Sequence, residues 1–474
     1  MESARKAAHT APQPTVSAEL GERAALRPRV LLMAYHCHPE SNMESRLGWN
    51  RALHAAKHCD TWVLFARHNN ASELPAMIRA AGVEESLHLI HVPHNRIEQV
   101  LSRKFKLFYR AYDLWHRRAY RVVKQMHSEL RFDLIHQVSF CGYRQPGYLW
   151  KLDVPFVLGP VGGTQNFPWR FLPTVDFPGA VREATRNLMN VAELWLSPKV
   201  RRACRKASVV LAANRENQRD LIRSQKVPVI LQLETGTEPC SDSITRRATP
   251  NQPLRILWTG RLRTWKALPI LLRALAQLPA TCDFELRVLG VGNCERRWKR
   301  LAQRLGVAHA ISWCGWGDYS EVLPHYQWAD VFAFTSLRDT SGAGLLDALA
   351  AGTPIIGVDH QGATDIMTDD CAIRVPVSSP TTTIAGFRDA IVALDSDREL
   401  LARLSEGARE RASEFNWERQ GEAMKRVYRH AIYGEPLSPS LAMPARLSEL
   451  ASETTCSSEA IACRHAAASS PQLG

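Results

Sequence analysis

Two carboxylates, Asp339 and Asp347, stand in the stretch Ser336–Ile366 (SLRDTSGAGLLDALAAGTPIIGVDHQGATDI) with seven residues between them. The stretch opens on a polar loop, Arg338-Asp339-Thr340-Ser341-Gly342, and runs into a helical pattern from Ala343 to Ala351, with Leu345, Leu346, Leu349 and Ala350 at helical spacing. Gly352 suits the helix C-terminus, Pro354 ends it, and Pro354 to Val358 reads as a short buried strand. A helix N-terminus offers unpaired backbone N–H groups and a partial positive charge, which suits a phosphate. The small residues Ser341, Gly342 and Gly344 let a diphosphate approach the backbone there. Asp347, a turn further on, can accept hydrogen bonds from sugar hydroxyls, and Asp339 can face what lies beyond the phosphates. The same residues also fit a plainer role, with Asp339 or Ser341 as N-cap and Asp347 as a solvated helix residue.

This stretch resembles the sugar-nucleotide site of retaining glycosyltransferases of the GT-B fold, in particular family 4 (glycosyl transferases group 1). That family carries two acidic residues separated by seven, the second in a helix followed by a Gly-x-Pro turn. Asp339, Asp347 and Gly352-Thr353-Pro354 stand at those positions, with Asp at both where Glu is usual. The match extends to Gly260-Arg261 with Lys266, the family's basic pair for the donor diphosphate; two cations at a strand end can neutralise a leaving pyrophosphate. Their plainer reading is surface charge. The resemblance adds Gly290 and Leu345 to the donor-binding set. Gly290-Val291-Gly292 is not a dinucleotide fingerprint, because Glu295 stands where the third glycine belongs.

The elements that must position these groups are strands alternating with helices, and the pattern runs twice. In the first half, the strand Arg29 to Tyr35 leads into a long polar loop, His36 to Arg46, followed by Gly48 at a helix start. The loop resembles the acceptor-side glycine-rich loop of family 4. Its His36, Cys37 and His38 lack further ligands at metal spacing. A second strand, Phe132 to Phe140, carries His136 and Ser139; relatives hold a histidine near the reacting sugar about here, and either residue can take that place. A lone histidine at a strand end also fits a structural role. The strand starting at Val154 ends in Gly162-Gly163, which either admits a ligand to the backbone or simply makes a tight turn. The second half restarts with Leu254 to Gly260.

At 474 residues, 45% of them hydrophobic, the chain has room for two ordinary domains. No apolar run reaches the roughly 18 residues of a membrane span, and the N-terminus lacks the apolar core of a secretory signal. Eleven scattered cysteines without a Cys-x-x-Cys pair point to free thiols in a reducing compartment. The net charge of +13 fits nucleic acid, an anionic membrane or acidic substrates, and no nucleic-acid-binding signature is present. The most basic stretch, residues 96–127, reads as one long helix or a bent pair. Its aromatics Phe105, Phe108, Tyr112, Trp115 and Tyr120 either face the core or rest on anionic lipid. Asp395-Ser396-Asp397 has the form of a metal-binding Asp-x-Asp but sits between two helical patterns, where N-capping is the better reading.

The expectation is an α/β protein of GT-B type, with two facing Rossmann-like domains and a cleft between them. Residues 1–27 form a disordered lead, 28–236 the acceptor-side domain, 237–253 a linker, and 254–415 the nucleotide-sugar domain. Residues 416–433 form a helix crossing back, and 434–474 a disordered tail. The resemblance implies transfer of a hexosyl-type sugar from a nucleotide diphosphate donor to a glycan or lipid-linked acceptor. It implies retention of configuration, no required metal or other cofactor, and a role in cell-surface polysaccharide or glycolipid synthesis. His136, Asp339, Arg261 and Lys266 are the expected catalytic residues, Gly48, Gly162 and Gly163 the acceptor side. The expected setting is cytoplasmic, on the inner face of the membrane, with no nucleic-acid partner. Two rivals are a catalytically weakened sugar-nucleotide-binding partner in a polysaccharide assembly complex and a sugar-nucleotide epimerase.

Overall fold

The computed structural model describes residues 27–39, 43–66, 73–104, 107–140, 142–238, 252–317 and 319–437. All but Arg27 of the expected lead, most of the expected linker and tail, Glu40–Asn42 of the acceptor-side loop and Phe105 of the basic stretch lie outside the described residues.

Apolar runs such as RVLLMA and LRILWT are hydrophobic at nearly every position, as strands buried on both faces require. They build two parallel sheets. The first takes β1 (Arg29–Ala34), β2 (Asp60–Phe65), β3 (Leu87–His91), β4 (Leu134–Ser139), β5 (Phe156–Val161), β6 (Val209–Ala212) and β7 (Ile230–Leu231), in the order β3-β2-β1-β4-β5-β6-β7. The second takes β8 (Leu254–Thr259), β9 (Phe284–Leu289), β10 (Ile311–Gly315), β11 (Val331–Phe334), β12 (Ile355–Asp359) and β13 (Ala372–Pro376), in the order β10-β9-β8-β11-β12-β13. The chain is an α/β protein of the GT-B fold, with two Rossmann-like domains.

In each sheet the strand order reverses once, between β1 and β4 and between β8 and β11, and open α/β sheets bind ligands beyond the carboxyl ends of the strands at such points. The order therefore brings the loop after β8 beside the loop after β11, although Lys266 and Asp339 are 73 residues apart.

The helices that shape the site are α1 (Met43–Ala56), α2 (Phe108–Leu130), α3 (Phe177–Leu196), α4 (Pro198–Lys206), α5 (Leu268–Leu275), α6 (Ala343–Ala350) and α7 (Trp417–Tyr433). The stretch 96–127 is a bent pair, a short helix Arg96–Ser102 followed by α2. Tyr112 and Trp115 of α2 are buried and face the core, and the Tyr112 hydroxyl donates to the Ser139 carbonyl at 3.0 Å. Met424, Val427 and Tyr428 of α7 pack into the core of the first domain with Leu47 and Ala52 of α1. Asp397 caps the helix Arg398–Ser413 by accepting from the Leu400 amide at 2.8 Å, and Asp395 pairs with Arg398, so Asp395-Ser396 ends the helix Pro380–Ser396 and Asp397 starts the next. Among the described residues no helix is long and apolar enough to cross a membrane.

Candidate active site at the domain cleft

The site is built on Asp339. It leaves the end of β11 on a loop that α6 terminates, and its Oδ1 accepts from the Gly342 amide at 3.1 Å. Gly342 is the N-cap of α6, with φ +53°, a left-handed conformation that glycine adopts without penalty. The other oxygen, Oδ2, is bonded to the Lys266 ammonium. Burial pushes the Asp339 carboxyl up, but Lys266, the Gly342 amide and the Ser336 hydroxyl outweigh it and hold the group below its usual range. Lys266 is fixed in turn through its backbone: its carbonyl accepts from Thr335 Oγ1 at 2.7 Å, and that hydroxyl accepts from the buried Trp258 indole at 2.9 Å. The residue after it, Ala267, is left-handed at φ +50°.

Around this pair the two domains are tied by polar contacts. Gln165 donates to the Asp339 carbonyl at 3.2 Å, and Gln361 accepts from the Asp339 amide at 3.0 Å while donating to the Asn166 carbonyl at 2.9 Å. Asn214 donates to the Thr340 carbonyl at 2.7 Å. Gly162 lies under the same residue: a Cβ there would stand 2.2 Å from Thr340 Cγ2, so only glycine lets the domains approach this closely. Arg338 reaches across to Glu183 of α3 at 2.6 Å and stacks on Trp265 at 4.6 Å from the ring centroid.

A second set of charges stands opposite. The hydroxyl of Ser341 donates to Glu234, at the end of the first domain. Glu44, in the first turn of α1, has a buried Oε2 without a hydrogen-bond partner. Burial and the nearby Glu234 carboxylate push the Glu44 carboxyl up to about 8, against the opposing pull of the Arg261 guanidinium. Arg261 itself is exposed at the end of β8. The arrangement can do three things: offer cations and amides to a diphosphate, hold a carboxylate at a fixed point, and present a neutral carboxylic acid at pH 7 as a hydrogen-bond donor.

Comparison with known proteins finds similarity in sequence and in fold. Residues 242–411 match the family described as Glycosyl transferases group 1. The match falls on the second domain. Along the sequence, the chain is 26% identical over 304 residues to a D-inositol 3-phosphate glycosyltransferase from Corynebacterium glutamicum, covering 58% of this chain and 71% of the relative. Three further curated relatives of that name are matched over less than half of their length. Among solved structures, a glycosyltransferase from Rickettsia africae superposes with a TM-score of 0.60 at 14% identity, covering 86% of this chain and all of that one. Anabaena HepE in complex with UDP-glucose superposes with a TM-score of 0.53 at 14% identity, covering 84% of this chain and 98% of that one.

The second domain holds Lys266, Asp339 and Gly342 within one connected set of contacts, while Ser341 is bonded to Glu234 of the first domain and Asp347 is half-buried on α6. Leu345 is fully buried and Gly344 packs beside Tyr326 and Phe332, so both support the N-terminus of α6 from below. Gly290 lets β9 end against β8: a Cβ there would fall 1.9 Å from the Gly260 carbonyl oxygen. On the first domain, Gly48 serves packing, since a Cβ would lie 2.3 Å from the His36 carbonyl oxygen. Gly163 is a left-handed turn at φ +91° whose amide donates to Gln165 at 2.9 Å.

His136 requires a correction. It is fully buried in the core, with Nδ1 2.7 Å from the Tyr428 hydroxyl of α7 and Nε2 2.6 Å from the Gly159 carbonyl. Both ring nitrogens are taken, which leaves none for a reacting sugar. Ser139, the other candidate on that strand, is equally buried, and its hydroxyl has no hydrogen-bond partner.

Sequence reasoning passed over Glu44, Glu234, Glu183 and Gln165. Glu44 lies within the polar loop that resembles the acceptor side, so its position carried a signal. The other three become site residues only through contacts spanning more than a hundred positions.

Proposed function

We propose that the protein transfers a sugar from a nucleotide diphosphate donor to a glycan or lipid-linked acceptor, with retention at the anomeric carbon and no resident metal, in polysaccharide or glycolipid synthesis. The observation that carries this reading is the joining of Lys266, Asp339 and the Gly342 amide at the N-terminus of α6. An ammonium has three donors, and Asp339 engages one, so Lys266 keeps capacity for phosphate oxygens. Arg261, exposed at the end of the same strand β8, supplies the second cation. Together they stabilise charge as it builds on the departing diphosphate, with each well-placed donor worth roughly 3–4 kcal/mol. Asp347 holds the ribose, and Asp339, fixed at both oxygens, contacts the donor sugar. Glu44, protonated at neutral pH, donates to a phosphate or hydroxyl oxygen in the cleft. The names of the relatives, an inositol-phosphate glycosyltransferase and a UDP-glucose complex, fit this reading.

One observation favours a binding-only role: both oxygens of Asp339, an aspartate where the family uses glutamate, are already engaged. A panel of UDP-, GDP-, ADP- and dTDP-sugars separates the two. Sugar transfer requires a rise in melting temperature with one nucleotide family, insensitive to EDTA, together with slow donor hydrolysis. A shift without hydrolysis supports the binding-only role. No shift with any nucleotide overturns both.

A further inference from the structure

Helix α3 is turned inside out. Its buried positions are Gly179, Glu183, Asn187, Asn190 and Leu194, and most of them are polar. They are satisfied inward: Glu183 on Arg338, Asn187 on the Phe167 backbone at 2.7 and 2.9 Å, and Asn190 on the Tyr143 hydroxyl at 2.9 Å. The apolar residues face out. Phe177, Val181, Leu188, Ala192 and Trp195 recur at spacings of 3, 4 or 7 and line one exposed stripe; Phe177 is 81% and Leu188 64% exposed. Leu196, 76% exposed, extends it at the C-terminal end. A soluble helix puts its apolar stripe on the core, and this one puts it in solvent.

The surroundings say what covers the stripe. Helix α4 follows directly, and Arg201, Arg202, Arg205 and Lys206 are exposed on it. Arg201 donates to the Trp195 carbonyl at 2.8 Å, so the cations begin where the apolar stripe ends. The carboxylates of α3 are withdrawn: Glu183 is buried on Arg338, and Glu193 is paired with Arg144. The face is thus apolar and cationic, which is the chemistry of an anionic bilayer surface. A second copy of the same face would set like charges together. At 20 residues α3 runs about 30 Å, the length of an interfacial helix lying in the membrane plane.

We propose that the outward face of α3, flanked by the cations of α4, seats the protein on an anionic lipid bilayer. The inner face of the same helix touches the donor-side loops, through Glu183 to Arg338 and Arg182 to Thr264 at 2.7 Å. Seating α3 therefore sets the cleft beside the headgroups, where a lipid-linked acceptor presents its sugar. Only this last link rests on the proposed sugar transfer; the membrane contact stands on the surface itself.

The test is sedimentation of the full chain with vesicles, without donor or acceptor, so that its outcome is independent of the nucleotide-sugar panel. Vesicles of phosphatidylglycerol and phosphatidylethanolamine should carry the protein down, and phosphatidylcholine vesicles should carry much less. Leu188→Glu/Trp195→Glu should lower partitioning by about 100-fold, and Arg202→Glu/Arg205→Glu, which touches no core residue, by at least about tenfold. Reversal of Arg121 and Lys124 on α2 should leave partitioning near wild type. The proposal is overturned if wild-type protein ignores anionic vesicles, or if the α2 reversal rather than the α3 and α4 changes abolishes binding. It is equally overturned if the protein is a dimer that the Leu188→Glu/Trp195→Glu change splits, which assigns the face to a second copy.

Discussion

Replacing Lys266 by methionine separates the two roles that its contact with Asp339 combines. The substitution keeps the length of the side chain and removes its charge. Asp339 is then left in the cleft with the Gly342 amide and the Ser336 hydroxyl but no cation. The side chains of the pair are 22% and 17% exposed, so the cost falls below the roughly 3–5 kcal/mol of a fully buried pair, at about 2–3 kcal/mol. In the wild type the Asp339 carboxyl is depressed, so its contribution is present above the unfolded value near 3.8 and is lost as pH falls through the folded one. In Lys266→Met, burial dominates, the carboxyl rises, and stability falls as pH climbs from about 4 through the new value. Adding Asp339→Asn removes the stranded charge and should recover most of the lost stability. Donor hydrolysis should stay down by about 10²–10³-fold in both variants, because the cation facing the diphosphate is still missing. Urea denaturation at pH 5 and pH 8, with hydrolysis of the donor that the nucleotide-sugar screen selects, reads both quantities. Near-normal turnover in Lys266→Met, or recovery of turnover together with stability in the double variant, refutes the reasoning.

Three further outcomes follow from contacts elsewhere. Arg338→Ala leaves Glu183, whose side chain is 1% exposed, with the more distant Arg182 at 3.4 Å, and should cost about 2–3 kcal/mol in urea denaturation, with Glu183→Gln restoring much of it. His136 is held neutral by burial, with its value lowered from 6.5 to about 3, so its stabilising share is complete above pH 6.5 and is lost as pH falls below that. Between pH 6.5 and pH 5 this amounts to about 2 kcal/mol, which His136→Gln should remove from the pH dependence; turnover per folded molecule at pH 7.5 should survive that change. Ala267→Gly relaxes a left-handed residue and should gain about 0.5–1 kcal/mol, read as a higher urea midpoint with unchanged slope.

The donor side was the most readable part of the sequence, for a physical reason. Gly342, Gly352 and Pro354 punctuate a helix whose N-terminus must stay open, and Arg261 and Lys266 follow a strand that is apolar almost throughout. Such local signals survive without tertiary knowledge. The pairing of Arg338 with Glu183, 155 positions apart, leaves no local trace. His136 shows the opposite failure. A histidine near the end of a strand suits both a cleft and a core, and only the arrival of Tyr428 from α7 decides between them. Helix α3 has a regular amphipathic period, but the period does not say which face turns inward. That choice was made by Glu183, Asn187 and Asn190 finding partners in the cleft wall.

The seating of α7 on the first domain bears on the order in which the chain can fold as it is synthesised. Met424, Val427 and Tyr428 belong to the same core as β1 and β4, yet they leave the ribosome after the entire second domain. His136 is buried against the Tyr428 hydroxyl, so until then it lacks that partner. The first domain therefore remains an unfinished core through the synthesis of roughly two hundred later residues. A chain halted within the second domain would expose the apolar floor of α1 and β4, a surface suited to chaperones, while the second domain, whose strands lie within 254–376, has its own sheet in place earlier.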